Sequence, residues 1–149
     1  VGNVGQQTIS PTLVNQADAS LDSIRVGPYT MICKMLVPAL GHNSRKFAFA
    51  QAAVNLARTA CALERYRLAQ GNYPAALDAL GPRFIAKVPH DPLGGQPLHY
   101  RPINDGHFIL YSVGWNEKDN GGTVVLAKDG LLKGSVDLDK GDWVWRYSD

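Results

Sequence analysis

The chain has 149 residues, of which 45% are hydrophobic and 19% charged, and its formal net charge is +2. That length supports one domain with a real core and is short for two. The basic residues are scattered, with Arg45-Lys46 the one adjacent pair, so there is no nucleic-acid footprint. No apolar run nears the ~20 residues that cross a bilayer. The chain starts at Val1 without an initiator Met or the zoning of a signal peptide, which suggests a fragment or a processed product.

Residues 1–35 are rich in Gly, Asn, Gln, Ser and Thr until an apolar run begins at Tyr29. They are expected to form an irregular or loosely docked arm ahead of a domain spanning residues 36–149. "YTMICKMLVPAL" (29–40) is apolar, and Pro38 is expected to kink or end any helix there. "GHNS" (41–44) offers Asn43 or Ser44 as an N-cap.

The strongest signal is "RKFAFAQAAVNLARTACALERYRLAQG" (45–71). Phe47, Ala50, Val54, Ala57, Cys61, Glu64 and Leu68 recur at alternating spacings of three and four, widened by Ala53, Leu56, Ala60 and Leu63. This predicts a helix of about seven turns with that stripe in the core. Gly71 supplies its C-cap. Cys33 and Cys61 make no CxxC pair and no zinc spacing, so both read as buried free thiols. Glu64 on the apolar stripe either marks its edge or bonds to the backbone of the next loop.

After Gly71 the texture changes. Residues 82–97 form a Pro- and Gly-rich connection. "LHYRPI" and "HFILYSV", joined by Asn104-Asp105-Gly106, predict a hairpin, with Pro102 placing the first strand at an edge or a bulge. "TVVLA" (123–127) and "DWVWRY" (142–147) are also strand-like. The fold class expected is α+β: one long N-terminal helix packed on an antiparallel sheet of three to four strands.

Five motifs then occur in a familiar order: "LVPAL" (36–40), "ALERYRLAQGNYP" (62–74), "VPHDPLGGQPLHY" (88–100), "YSVGWN" (111–116) and a late Asp-Trp. Tyr66, Gly71, Tyr73 and Pro74 match a Tyr-x-x-x-x-Gly-x-Tyr-Pro helix end, and Pro89, Asp91, Pro92 and Gly94 a Pro-x-Asp-Pro-x-Gly turn. Over residues 36–145 the chain resembles the major pseudopilin of type II secretion systems, in the type IV pilin-like superfamily. It departs from that family upstream of Val37, where the apolar membrane helix and its acidic residue have no match. It is also similar to pilin-like C-terminal domains of longer bacterial proteins.

The resemblance implies a pilin-like fold and a non-enzymatic structural or assembly role, outside the cytoplasm, in a secretion-type or cell-envelope system. The partners it implies are proteins, either other pseudopilins or further copies of the chain. Nucleic acid is not expected, and membrane contact is expected only through a segment absent from this chain. In the family, the loop matching Ser112–Gly122 binds calcium. Carried over by position, the ligands are the carbonyls of Val113 and Lys118 and the side chains of Asn116, Asp119 and Asp142, with Asp137 and Asp139 as alternates. Calcium takes six to eight oxygens, which amides and carbonyls supply as well as carboxylates. The plainer reading is an Asn-, Asp- and Gly-rich turn.

Other chemistry is sparse. His42, His90, His99 and His107 form no HxxxH pair, and no GxSxG, P-loop or dinucleotide fingerprint occurs. No acid–base or nucleophile set assembles, so an enzyme is not expected. The rival reading is a glycan- or peptide-binding module using Trp115, Trp143 and Trp145 as a stacking platform. Buried indoles favour assembly and a solvent-facing row favours binding.

Overall fold

The computed structural model describes residues 8–25, 27–103, 106–128 and 134–145. The fold is α+β. Helix α1 spans Pro11–Asp22 and α2 spans Pro28–Gln70. A short 3-10 turn, Leu77–Leu80, precedes strands β1 (His99–Ile103), β2 (His107–Ser112), β3 (Val124–Leu126), β4 (Val136–Gly141) and β5 (Trp143–Val144).

The segment expected to be irregular contains α1. Ser10 caps it, Oγ accepting the Leu13 N–H, and Pro11 occupies the first helical position, where its missing N–H costs nothing. Its Val14 packs with Ile9 against the core formed by Ala48, Ala52, Leu93, Trp115 and Trp143. The Ile9 N–H also donates to the Pro92 carbonyl at 2.8 Å.

Helix α2 is 43 residues long and crosses the position where arm and domain were expected to meet. Its N-cap is Gly27, not Asn43 or Ser44, and Thr30 Oγ1 accepts the Gly27 N–H at 2.7 Å. The helix continues through Pro38 instead of ending there. Proline removes one intrahelical donor, a local loss. One turn further on, α1 packs across Gly41, where a Cβ would stand 2.9 Å from Asp18 Oδ2 and 3.4 Å from Val14 Cγ1. Gly71, at φ 85°, ends α2 and donates its N–H to Arg67 O; the left-handed conformation suits glycine.

Of the stripe predicted for α2, Leu56, Ala60 and Leu63 are buried and the rest is exposed or half-buried. Phe47 is 72% exposed, Val54 53% and Leu68 77%, and Cys33 and Cys61 are exposed thiols, not buried ones. Ala57 is half-buried. The buried side carries Ala48, Ala52, Asn55, Leu56, Thr59, Ala60, Ala62 and Leu63. Its two polar members are satisfied: Asn55 Nδ2 donates to His90 O at 2.9 Å and Thr59 Oγ1 to Asn55 O at 2.8 Å.

The hairpin pairs as expected, from His99 opposite Tyr111 to Ile103 opposite His107; Asn104 and Asp105 lie outside the described residues. β5 extends it on the other side, giving the order β1-β2-β5. "TVVLA" does not join this sheet. β3 pairs with β4, which carries the alternate acids Asp137 and Asp139, in a separate two-stranded sheet. Leu56 and Leu63 of α2 pack with Leu80, Phe84, Phe108 and Leu110 beneath the first sheet. Tyr73 closes that core edge-on to Phe108 (4.9 Å between ring centroids), and its hydroxyl hydrogen-bonds Glu64 Oε1. Tyr100 donates to the Pro74 carbonyl at 2.7 Å. The Tyr-Pro pair therefore ties the end of α2 to the hairpin, and Glu64 sits at the stripe's edge, bonded to side chains.

Candidate functional site

Ser112–Gly122 is an ordered loop between β2 and β3, held from four sides. From the body of the fold, Asp91 Oδ1 accepts the Leu93 N–H at 2.9 Å and Oδ2 the Val113 N–H at 3.2 Å. Burial raises the Asp91 pKa, opposed by these bonds and by the Ser112 hydroxyl. From α1, Thr12 Oγ1 donates to Glu117 Oε2 at 2.6 Å, and Asn15 Oδ1 accepts the Trp115 indole N–H at 3.4 Å. From α2, the Arg45 guanidinium lies 5.5 Å from the Trp115 ring and pairs with Asp139 at 3.1 Å.

A further hold on the loop is Asp142, which is fully buried. Its carboxylate accepts the backbone N–H groups of Asn120 (3.1 Å), Gly122 (2.7 Å) and Thr123 (3.2 Å). Two glycines permit the approach. A Cβ on Gly114 would stand 2.4 Å from Gly141 O, and one on Gly122 2.9 Å from Ile109 Cγ2, both at positive φ.

Of the residues carried over as calcium ligands, the structure places each on a different task. Asn116 Oδ1 accepts the Lys118 N–H at 3.0 Å, and its amide donates to Asn120 Oδ1 at 3.1 Å. Asp119 Oδ1 accepts from Tyr111 Oη at 2.9 Å and from the Gly121 N–H at 2.8 Å, while Oδ2 lies 3.4 Å from His99 Nδ1. The Gly121 bond, then the Tyr111 bond, lowers the Asp119 pKa. The Tyr111 hydroxyl is pushed up to about 12, first by burial and then by Asp119. Asp137 accepts the Asp139 N–H and pairs with Lys140, and Asp139 pairs with Arg45.

The three side chains carried over as ligands are each engaged within the loop: Asn116 with the Lys118 N–H, Asp119 with Tyr111 and the Gly121 N–H, and Asp142 with a ring of N–H dipoles whose positive ends fill its acceptor positions. Among the described residues, no three His, Cys, Asp or Glu side chains are grouped to hold a metal.

The tryptophans do not make a platform. Trp115 is 4% exposed and Trp143 2%. Trp143 packs edge-on to Phe49 at 5.3 Å, and Trp145 packs against the hydrophobic core under the first sheet. What is open to solvent is the outer side of α2. Met31, Ile32 and Leu36 are exposed in its first third, followed by Phe47, Val54 and Leu68. A groove of about 320 Å³ opens beside this stripe, lined by Ala60, Cys61, Glu64, Arg65 and Trp145.

Sequence reasoning missed α1, although Ser10-Pro11 is a start signal and Leu13, Val14, Ala17 and Leu21 follow at helical spacing. It also missed that Asp91 and Asp142 act on backbone amides. No family model matches this chain, and no curated protein or solved structure does so either.

Proposed function

We propose that the chain is a non-enzymatic assembly domain, of the pilin-like kind its ordered motifs resemble, serving a secretion-type or cell-envelope system outside the cytoplasm. The observation that carries this reading is the two-sided use of α2. One side is buried on the domain, and the other leaves Phe47, Val54 and Leu68 exposed among the described residues. Isolated exposed leucines are ordinary, whereas an apolar stripe in register along one helix is a contact surface. The buried indoles support the same reading over glycan stacking.

Cys61 reports on the seam directly. In envelope fractions of the source cells, maleimide alkylation of Cys61 is expected to be slow until denaturant is added. Alkylation there as fast as in the unfolded chain would overturn the assembly reading, because the seam would then be open in its native setting.

A further inference from the structure

The loop Ser112–Gly122 carries the chain's one Asn-Gly pair, Asn120-Gly121, and both residues are exposed. An asparagine before glycine is chemically labile, because the glycine nitrogen attacks the asparagine Cγ without a Cβ in the way. Nothing else crowds the approach: a Cβ built at Gly121 would meet no atom within 4 Å. In the reaction the Gly121 nitrogen loses its proton and bonds to Cγ, closing a succinimide ring, and the side-chain nitrogen leaves as ammonia. Water then adds to either ring carbonyl and breaks its bond to the Gly121 nitrogen. Opening at Cγ leaves aspartate. Opening at the backbone carbonyl leaves isoaspartate, with the main chain now running through Cγ. The balance is one amide and one water giving a carboxylate and ammonium.

Ring closure needs rotation about the Asn120 Cα–C and Cα–Cβ bonds to bring nitrogen and Cγ together. The closed loop opposes both rotations. Ahead of the Cα–C bond, the Asn120 N–H donates to Asp142 at 3.1 Å; beyond it, the Gly122 N–H donates to the same carboxylate at 2.7 Å. Turning that bond pulls one donor off Asp142, which is fully buried and cannot follow. The side chain is held separately, its Oδ1 accepting from Asn116 Nδ2 at 3.1 Å. The attacking nitrogen is itself engaged, since the Gly121 N–H donates to Asp119 Oδ1 at 2.8 Å.

We propose that Asn120-Gly121 is a gated modification site: the closed loop keeps it as asparagine, and each opening exposes it to conversion into aspartate or isoaspartate. The conversion runs one way, because ammonia is lost to solvent. It also hinders reclosure. Isoaspartate adds an atom to the main chain between the residue 120 and Gly122 N–H groups, which must converge on one carboxylate. Either product brings a new negative charge close to buried Asp142. Opening of the loop is thereby recorded in the covalent structure. The site does not depend on the assembly reading.

Mass spectrometry of the peptide holding residue 120, taken from the purified full chain, follows the conversion; isoaspartate methyltransferase labelling counts the second product. In mildly alkaline buffer the native chain should convert at least about tenfold more slowly than the chain unfolded in guanidinium, since reaction follows the open fraction of the loop. Asp119→Ala frees the Gly121 N–H at a half-exposed side chain, and Asp142→Ala frees the Asn120 and Gly122 donors. Each should convert at least about threefold faster than wild type with helix content unchanged. If Asp142→Ala loses helix content, Asp119→Ala decides alone. A native rate equal to the unfolded rate would overturn the gate, as would wild-type rates in the folded variants. Slower conversion in Asp119→Ala would overturn it too, because that carboxylate would then be drawing the proton off Gly121 as a base.

Discussion

The two faces of α2 are built from similar apolar material and do opposite work. The inner face is made of alanines, two leucines and two polar residues, Asn55 and Thr59, and is almost sealed from water. The outer face carries the larger side chains, Phe47, Val54 and Leu68, in the open. Hydrophobicity alone would have reversed them. Burial in this fold follows fit: small residues let the sheet approach the helix closely, and a polar group costs little there once its hydrogen bonds are made.

The contrast is sharpest under a charge. Ala52→Asp puts an unpaired carboxylate at a fully buried position, which should cost about 4 kcal/mol or more and unfold the domain. Phe47→Asp should leave the monomer's urea midpoint within about 0.5 kcal/mol of wild type. Equal losses in the two melts would erase the distinction between the faces.

A smaller effect is expected where α2 ends. Tyr73→Ala removes a half-buried ring from the edge of Phe108 and the hydroxyl from Glu64. A loss of about 2–3 kcal/mol should appear in the same melts; Tyr73→Phe should lose about 1 kcal/mol. An unchanged midpoint for Tyr73→Ala would move the residue to the outer, interaction side of the comparison.

Asp142→Ala leaves three loop N–H groups without their acceptor. It should cost about 2 kcal/mol and raise amide exchange at Asn120, Gly122 and Thr123 while α2 stays protected. Wild-type melting temperature should be the same in calcium and in chelator, because the N–H ring already occupies the carboxylate. A calcium-dependent rise that Asp142→Ala abolishes would restore the metal reading.

The least expected effect is on pH dependence. The Asp119 pKa is lowered in the fold, so its contribution is present above the unfolded pKa, ~3.9, and is lost as pH falls through the folded value. The Asp91 pKa is raised, so its contribution runs the other way, present below ~3.9 and lost as pH rises through its folded value. Carboxyl NMR titrations should place the Asp119 midpoint below the ordinary range and the Asp91 midpoint above it. The reverse order would show that the loop hydrogen bonds are misassigned.

These contrasts also mark what could be read from residues alone. The stop at Gly71, the 99–112 hairpin and the late strand were legible because glycine placement, turn chemistry and apolar alternation are local. The buried face of α2 was not. Asn55 and Thr59 make it look the more polar side until the His90 carbonyl, 35 residues away, is brought to Asn55. The seven-residue repeat was expected in the core, and its largest members, Phe47, Val54 and Leu68, are exposed instead. Loop chemistry was hidden for a different reason. The donors to Asp142 are backbone amides, which every residue but proline carries, so no side-chain pattern announces them.

The bonds between α1 and the loop have a consequence for the order in which the chain folds during synthesis. Thr12 and Asn15 meet Glu117 and Trp115, partners 105 and 100 residues later. Asp142 reaches the loop later still. As the chain emerges from the ribosome, α2 is complete and its inner face uncovered well before the sheet exists, and α1 has no loop to grip. Contacts of such long sequence separation form slowly, since the intervening chain must be ordered first. Nascent chains arrested before Asp142 should therefore hold helix but leave Trp115 open to quencher, and release of the last strand should bury it.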